Sequence, residues 1–504
     1  MDITPLGWLL IPFGLVAFCV LPNWLYYVAI FLIPFSATAV VNLTVAGVSK
    51  GIPAVLFIGC LWICREFCSI VYSGVLNIPK HIRVFGVMCL LYLTILTCSL
   101  SVPLLMPGAF IITSPHLDAP QVSLLAFSAH NITQILYISF WVVMAWLIAL
   151  RNQDEKSLTV TIKIFVVSAM FVSCWGMLQW ASYNFGFNYP YVLFNSSATE
   201  SAQGYTGVLS TGALSGEGIK RISSVAVEPS VLAQYLLCVL PIVFAAAWFK
   251  SPIFSIVGDK VVLIVLLLVL LLSTSTTAYL GLLIFVFGFP ILLRFKGRRL
   301  LQYVIWIIML GFIEALLIAA LWASTALSTS SALPASSALP ASSALPASSA
   351  LSTSTALHSF SIQERFYTIN NAWNSFLESP LLGMGWGSIT SADLVVSLLA
   401  NSGLIGLVGF FLLIIGPLAI LLYAHIGYRF EDQKAAWGAG ILSSFLLALV
   451  VSIFSGFAYV FGHFWFLLAL SVSVGMLMSS SIDPSDRSYS WPLYRPQSAR
   501  EEVK

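Results

Sequence analysis

The amino-acid sequence predicts an all-α polytopic membrane protein. Of its 504 residues, 59% are hydrophobic and only 8% are charged, whereas soluble globular proteins carry about 25% charged residues. Apolar runs long enough to cross the hydrocarbon core of a bilayer as a helix recur along the chain. Because a helix satisfies its own backbone hydrogen bonds in lipid, helices are the expected spanning elements.

Apolar runs and their interruptions predict about 12 or 13 transmembrane helices. These lie near 6–20, 23–42, 52–72, 83–106, 130–150, 157–181, 229–249, 257–273, 275–294, 301–322, 393–424, 435–456 and 459–480. We therefore divide the chain into an N-terminal bundle of about 9 or 10 helices (1–322), a large loop (323–392), C-terminal transmembrane helices (393–480) and a tail (481–504).

The lysines and arginines predict the orientation, because cytoplasmic loops carry an excess of positive charge. Seventeen of the 22 fall in alternate loops and the tail: Lys80, Arg83, Arg151, Lys156, Lys163, Lys250, Lys260, Arg294, Lys296, Arg298, Arg299, Arg429, Lys434, Arg487, Arg495, Arg500 and Lys504. Only Lys50, Lys220, Arg221 and Arg365 fall on the other side, and Arg65 lies toward a helix end. This split predicts a cytoplasmic C-terminus and outward segments at 107–129, 182–228 and 323–392. Whether the first 40 residues cross once or twice stays open.

The large loop combines two kinds of sequence. Residues 330–351 repeat Ser-Ser-Ala-Leu-Pro-Ala with a six-residue period. Proline at every sixth position prevents a regular helix, so this part is expected to be a flexible spacer that tolerates shortening. Residues 362–378 place apolar side chains at helical spacing, which predicts an amphipathic helix on the outer membrane surface.

The segment from Arg221 to Tyr235 joins a polar loop to an apolar helix. Pro229 fits the first turn of that helix, and Glu228 lies at its start, where the helix dipole favours negative charge. One interpretation is an anchor, with Glu228 as a cap and Arg221 at the membrane interface. The other is chemical, because Arg221 and Arg365 are scarce cations on the disfavoured side.

Two arginines and a carboxylate suit a lipid-diphosphate substrate. Arginine binds phosphate oxygens in pairs and does not lose its proton, so Arg221 and Arg365 would stabilise a leaving diphosphate. A carboxylate would accept the proton of an acceptor hydroxyl, and Asp393 and Glu364 are the candidates, with Glu228 supporting Arg221. No histidine and cysteine cluster has metal-ligand spacing, so neither a metal nor another cofactor is expected.

Three segments resemble the O-antigen ligase/polymerase superfamily of bacterial inner-membrane glycosyltransferases. They are Arg221 with Glu228-Pro229-Ser230-Val231-Leu232-Ala233, the polar turn from Leu272 to Tyr279, and the glycine-rich run 379–387 followed by 399–407. Together with the helix pattern, the resemblance covers most of the chain beyond about residue 150. It implies a GT-C-like bundle, a large periplasmic loop before the last three helices, and substrate contacts from Arg221, Arg365, Tyr235 and Gly385.

One departure from the family separates its two activities. The ligase pattern places a histidine, a small polar residue and nine spacer residues before Gly-x-x-Gly, and Gly403 and Gly406 put Ala392 at the histidine position. The resemblance therefore implies polymerisation of undecaprenyl-diphosphate-linked oligosaccharide units for O-antigen or exopolysaccharide. It also implies chemistry at the periplasmic face of the inner membrane, with a chain-length regulator and a flippase as protein partners. Nucleic acid is not an expected partner. A ligase-type transferase, a polysaccharide transporter or flippase, and a structural scaffold are the alternatives.

The charge split generates a prediction about topology. Single cysteines placed in 107–129 or 182–228, in a chain without its eight native cysteines, should react with an impermeant maleimide added to intact cells. Cysteines at 296–299 should react only after permeabilisation, because that loop carries three of the cytoplasmic cations. Labelling of 296–299 but not of residue 340 in intact cells would reverse the orientation.

Overall fold

The computed structural model describes residues 2–45, 48–73, 78–108, 110–112, 122–197, 221–294, 353–428, 432–455 and 461–480. Within these ranges the chain is an all-α polytopic membrane protein, with eight helices long and apolar enough to cross a membrane. The predicted helix at 301–322, the repeat at 330–351 and the tail at 481–504 lie outside the described residues.

The helices and strands are numbered here in chain order. The helices are α1 (Pro5–Val20), α2 (Pro22–Phe31), α3 (Ala54–Ser73), α4 (Lys80–Ser99), α5 (Val102–Leu105), α6 (Ala129–Arg151), α7 (Glu155–Phe185), α8 (Tyr191–Phe194), α9 (Pro229–Trp248), α10 (Ile256–Leu272), α11 (Thr276–Arg294), α12 (Thr353–Glu378), α13 (Leu394–Gly427), α14 (Gln433–Ser455) and α15 (Gly462–Ser480). The strands are β1 (Asp2–Ile3), β2 (Ala39–Val45), β3 (Val48–Pro53), β4 (Phe110–Ile112) and β5 (Val122–Leu124). Strands β1, β2 and β3 form one antiparallel sheet, and β4 and β5 pair as a hairpin.

The centre of the bundle consists of α9, α14 and α15, which are the most buried of the spanning helices. Helix α9 packs along α14, and α15 packs along α13. Helices α3 and α4 bury much less of their surface. In α4 the buried side chains recur every three or four residues, so one stripe faces the bundle and the rest is left for lipid.

Helix α7 distinguishes the two ends of the bundle. At its first turn Glu155 forms an ion pair with Lys434 of α14, at 3.7 Å between Oε2 and Nζ. About seven turns later its Gln179 binds the loop that carries Arg221. The Arg221 loop and the cation-bearing starts of α7 and α14 therefore lie at opposite ends, which are called here the Arg221 end and the Lys434 end.

The first two helices form a hairpin that starts and finishes at the Arg221 end. Strand β1 precedes α1 and pairs with β2, which follows α2. The amide of Ala37 donates to the carbonyl of Val225 in the Arg221 loop, at 3.1 Å. At the turn between the helices, the Asn23 side chain accepts a hydrogen bond from Arg151 at the end of α6. The chain therefore runs from the Arg221 end toward the Lys434 end and back before it enters β2.

The predicted helix at 23–42 is wrong beyond Phe31. Helix α2 ends there, three turn residues follow, and residues 39–45 form strand β2. Pro34 disfavours helical geometry at the residue before it. The run Ala-Val-Val-Asn-Leu-Thr-Val carries four β-branched side chains, which favour a strand, and it pairs with β3. The apolar composition of this run was therefore a strand signal.

The predicted helix at 393–424 is interrupted. Gly403 has φ 65° and ψ −166° inside α13, so the helix is broken there into two pieces. The amides of Leu404 and Ile405 donate instead to the carbonyls of Pro380 and Leu381, at 2.9 and 3.2 Å. The loop after α12 thus replaces the missing intrahelical partners, as the absence of water in a bilayer requires.

The same loop is also hydrogen-bonded to residues of α13 that precede the break. The amide of Met384 donates to the carbonyl of Ala400 at 2.7 Å. The Asn401 side chain accepts from the amide of Ile389 at 3.0 Å and donates to the carbonyl of the same residue at 2.8 Å. The segment 380–389 and the broken turn of α13 therefore form one interlocked unit, called here the α13 latch.

We predict that Gly403→Ala destabilises the protein strongly. The conformation of Gly403 belongs to a region that is open almost only to glycine and costs other residues about 1–3 kcal/mol. A Cβ there would also lie 2.2 Å from the carbonyl oxygen of Leu381. The unfolding temperature in detergent should fall by several degrees or more, and the membrane abundance should fall with it.

The matched control is Gly416→Ala in the same helix. A Cβ at Gly416 meets no atom within 4 Å, and alanine is the better helix former by about 1 kcal/mol. This variant should be as stable as the parent or slightly more so. Equal unfolding temperatures for the two variants would contradict the proposed role of the break.

Candidate functional site

The loop that carries Arg221 is buried in the protein and hydrogen-bonded to α7. Residues 222–226 have between 0% and 3% of their surface exposed. The side-chain carbonyl of Gln179 accepts hydrogen bonds from the amides of Ser223 and Ser224, at 3.0 and 2.8 Å. Ser224 has a positive φ of 55°, and its hydroxyl donates to the carbonyl of Val172 at 2.7 Å. The loop is therefore fixed to α7, and the position of Arg221 follows from it.

The Arg221 guanidinium is half-buried and close enough to Glu228, Arg365 and Tyr279 to interact with them electrostatically. Burial lowers the pKa of Arg221 below its ordinary value; the like charge of Arg365 lowers it further, while Glu228 and Tyr279 act in the opposite direction. Its Nε atom is buried and donates no hydrogen bond among the described residues. The two arginines singled out in the sequence, 144 residues apart, are thus brought together by the fold.

Glu228 occupies the cap position of α9 without acting as its cap. Its backbone is extended, with φ −143° and ψ 155°, but its side chain accepts no hydrogen bond from a backbone amide of the first turn. Instead, its Oε2 accepts from the side-chain hydroxyl of Ser230 at 2.8 Å. The carboxylate lies within electrostatic reach of Arg221 and does not cap the helix backbone, which was one interpretation of the sequence.

The polar turn between α10 and α11 contributes residues that sequence reasoning did not single out. Thr274 has a positive φ of 45°. Its hydroxyl and that of Ser275 are buried and have no hydrogen-bond partner within the described ranges. One helical turn on, Tyr279 lies within electrostatic reach of Arg221. The segment 272–279 had been noted for its resemblance only, and its clustered hydroxyls before an apolar helix were the signal available. We call Arg221, Glu228, Tyr279 and Arg365 the Arg221 cluster.

Asp393 caps the first turn of α13. Its Oδ1 accepts from the amide of Val396 at 2.7 Å, and only 6% of the residue is exposed. Burial raises its pKa to about 6, although the amides of Val396 and Val395 act in the opposite direction. A carboxylate with this pKa suits a general base, but its burial and its cap bond give Asp393 a structural role in the α13 latch.

Of the remaining predicted site residues, Tyr235 and Gly385 pack in the interior, and Glu364 is next to Arg365 in sequence. Tyr235 has only 1% of its surface exposed, and its hydroxyl donates to the carbonyl of Phe165 at 3.0 Å, so it belongs to the core. Gly385 has φ 92°, and a Cβ there would lie 2.6 Å from the ring of Pro103, so it allows close packing and offers no surface to a substrate. Glu364 directly precedes Arg365 on α12, and its side chain lies outside the described residues.

The Arg221 end carries groups suited to an anion. Arg365 lies within electrostatic reach of Arg221, the Nε of Arg221 has no partner among the described residues, and buried hydroxyls lie on the turn before Tyr279. No protein-family model matches the chain, and no curated protein matches it.

We predict that Asp393→Asn changes how the stability of the protein depends on pH, because the buried Asp393 carboxyl titrates and asparagine does not. Because the folded pKa lies near 6 and the ordinary value is 3.8, the Asp393 contribution is fully present below pH 3.8 and is lost as pH rises through 6. Asparagine keeps the capping oxygen and does not titrate. The unfolding temperature of the variant minus that of the parent should therefore increase between pH 4 and pH 7.

Asp154→Asn at the Lys434 end serves as the control of opposite sign. Asp154 caps α7, and hydrogen bonds from Ser157 lower its pKa. Its contribution is present above the ordinary pKa and is lost as pH falls through the lowered value. This variant should match the parent in its pH profile between pH 5 and pH 7. Parallel profiles for Asp393→Asn and the parent would contradict the burial of Asp393.

Proposed function

We propose that the chain is a glycosyltransferase of the bacterial inner membrane that polymerises undecaprenyl-diphosphate-linked oligosaccharide units at the periplasmic face, as an O-antigen or exopolysaccharide polymerase. The observation that carries this proposal is that Arg365 and Glu228 both lie within electrostatic reach of Arg221, whose buried Nε has no partner among the described residues. The resemblance of segments 221–233 and 272–279 adds support, since both contribute to the cluster.

The Arg221 guanidinium is incompletely satisfied in the free protein. The like charge of Arg365 repels it, and partial burial removes water that would screen the repulsion. Glu228 attracts it, but the buried Nε of Arg221 has no partner among the described residues. A diphosphate supplies several acceptor oxygens in the geometry that guanidinium groups prefer. The cost that the free protein bears is thus the basis for binding the leaving group.

The proposed step is a direct displacement at the anomeric carbon of the growing chain. The hydroxyl oxygen of the next unit forms the new glycosidic bond, and the bond from that carbon to the diphosphate oxygen breaks. The diphosphate leaves on its lipid with the bonding electrons, stabilised by Arg221 and Arg365. The hydroxyl proton passes to a carboxylate, for which Glu228 and Glu364 are the candidates at the Arg221 end.

The placement of charge supports an outward-facing cluster. Described cations such as Arg151, Lys156 and Lys434 lie at the opposite end, where α7 and α14 begin. Under the positive-inside rule the Lys434 end faces the cytoplasm. The Arg221 end then faces the periplasm, where a lipid-linked oligosaccharide is presented after translocation.

A transporter or flippase is the second candidate, because broken spanning helices often bind the transported substrate. The break of α13 at Gly403 is such a feature. The amides of Leu404 and Ile405, which the break leaves without intrahelical partners, donate to the carbonyls of Pro380 and Leu381. They are therefore not available to a substrate. This observation favours a structural role for the break and leaves the Arg221 cluster as the better-supported site.

We predict that Arg221→Ala and Arg365→Ala each slow polymerisation at least ten-fold. A hydrogen bond to a charged group contributes about 1.5–3 kcal/mol, and about 1.4 kcal/mol corresponds to one decade of rate. Arg221→Lys and Arg365→Lys should recover activity only in part, because lysine lacks the paired donors of guanidinium. The measurement is release of undecaprenyl diphosphate, with product length on gels, at matched protein abundance.

Arg83→Ala provides the control, since Arg83 is an exposed cation at the Lys434 end. It should leave the rate unchanged. Full activity of both alanine variants at 221 and 365 would reject the diphosphate role and restore the anchor interpretation. Movement of lipid-linked substrate across liposomes without any diphosphate release would support the transporter instead.

A further inference from the structure

A cavity with both polar and apolar walls lies beside the N-terminal sheet at the Arg221 end. Its volume is about 290 Å³, and its lining includes Asp2, Thr4, Asn42, Tyr191, Asn195 and Ser196. Small-molecule sites in proteins span roughly 300–1,000 Å³, so this cavity suits one or two sugar rings. None of the predicted site residues lines it, and neither the charge pattern nor the resemblance had pointed to it.

The walls of the cavity are held by hydrogen bonds between distant parts of the chain. The Asn42 side chain in β2 donates to the carbonyl of Ser196 at 2.9 Å. The Ser196 hydroxyl donates to the carbonyl of Ala39 at 3.2 Å, and the amide of Ser197 donates to the carbonyl of Ala37 at 3.1 Å. The turn after α8 is thus fixed on the sheet, and the cavity is preformed.

The cavity is directly connected to the loop that positions Arg221. The side chain of Asn195, which lines the cavity, donates to the carbonyl of Ser224 at 2.9 Å. Ala37 bridges the same two regions, since its amide donates to Val225 while its carbonyl accepts from Ser197. A ligand in the cavity would therefore be held on the same rigid framework as the Arg221 cluster.

The lining combines polar and apolar groups, which favours a saccharide over a phosphate. The Asp2 carboxylate, which forms no hydrogen bond within the described residues, can accept from the adjacent hydroxyls of a sugar and would repel a phosphate. The ring of Tyr191, with 55% of the residue exposed, offers a flat apolar face for the C–H side of a pyranose. Ile3, Pro5 and Val192 extend this apolar side of the cavity.

We propose that this cavity binds a sugar of the acceptor oligosaccharide and so orients the hydroxyl that attacks the donor. The assignment of the bound sugar to the acceptor rests on the proposed polymerase function. The binding of a saccharide to the cavity does not, because it can be measured without any turnover. Tyr191 and Asp2 are the residues to change, because both are exposed and neither side chain forms a hydrogen bond that holds the fold within the described residues.

The test uses the free oligosaccharide unit, released by mild acid from the lipid-linked pool of the cells that make the protein. Lacking the diphosphate, it is an acceptor only. Saturation-transfer NMR with the full-length protein in detergent should show binding to the parent, and at least a five-fold weaker signal with Tyr191→Ala and with Asp2→Asn. Tyr72→Ala, at a 96% exposed tyrosine outside the cavity, should keep the parent signal.

Kinetics add a second readout. With the free oligosaccharide as acceptor, the cavity variants should raise its KM about ten-fold and change kcat little, because they affect positioning of the acceptor and leave the diphosphate contacts intact. Arg221→Ala should still bind the oligosaccharide, which separates this site from the proposed chemistry. Undiminished NMR signals from both cavity variants, or an equal loss from Tyr72→Ala, would overturn the proposal whatever the arginine variants do.

Discussion

The hydrogen bonds of the α13 latch are the interaction on which the rest of the described structure depends. A lipid bilayer offers no water to a broken helix, so the free groups at Gly403 must find protein partners. The carbonyls of Pro380 and Leu381 supply them, and this fixes the end of α12 against α13. Arg365 lies on α12, so the latch also determines where one half of the arginine pair lies.

The latch reaches further into the bundle through its glycine-rich loop. The amide of Trp386 donates to the Ser99 hydroxyl at the end of α4, at 3.1 Å, and its carbonyl accepts from the Asn131 side chain in α6, at 2.8 Å. A Cβ at Gly383 would lie 2.6 Å from the backbone of Ser402, so the loop can approach α13 only as glycine. The glycine-rich run therefore connects α4, α6, α12 and α13.

Sequence periodicity predicted most of the fold because burial in lipid imposes the same apolar signal on every spanning helix. It failed where backbone geometry decided the outcome. The run 39–45 is as apolar as a helix but pairs as a strand, and Gly403 breaks a helix whose composition is continuous. Both exceptions depend on partners distant in the chain, β3 and the loop at 380–381, which a local pattern does not contain.

The same distinction applies to the candidate site. Charge scarcity identified Arg221 and Arg365, because a cation on the disfavoured side is visible in the sequence alone. Burial was not visible, so Tyr235, Gly385 and Asp393 were predicted as site residues although the fold uses them for packing and capping. The hydroxyls of Thr274 and Ser275, which have no hydrogen-bond partner among the described residues, were missed because serine and threonine are common in turns. Only the tertiary structure shows that these two lack partners.

The polar groups of the two loops are satisfied to different extents, and that difference supports the proposed site at the Arg221 end. In the α13 latch, the donors and acceptors described above are paired. At the Arg221 end, the loop backbone is equally well paired through Gln179, yet Arg221 and the adjoining turn retain unpaired groups. A rigid loop that holds unpaired hydrogen-bond donors in place is the arrangement expected at a ligand site, because the ligand then supplies the missing acceptors. Asn195 and Ala37 extend that frame to the N-terminal sheet, so a sugar and a diphosphate bound at the two places would be held in fixed relation, as displacement between two large substrates requires.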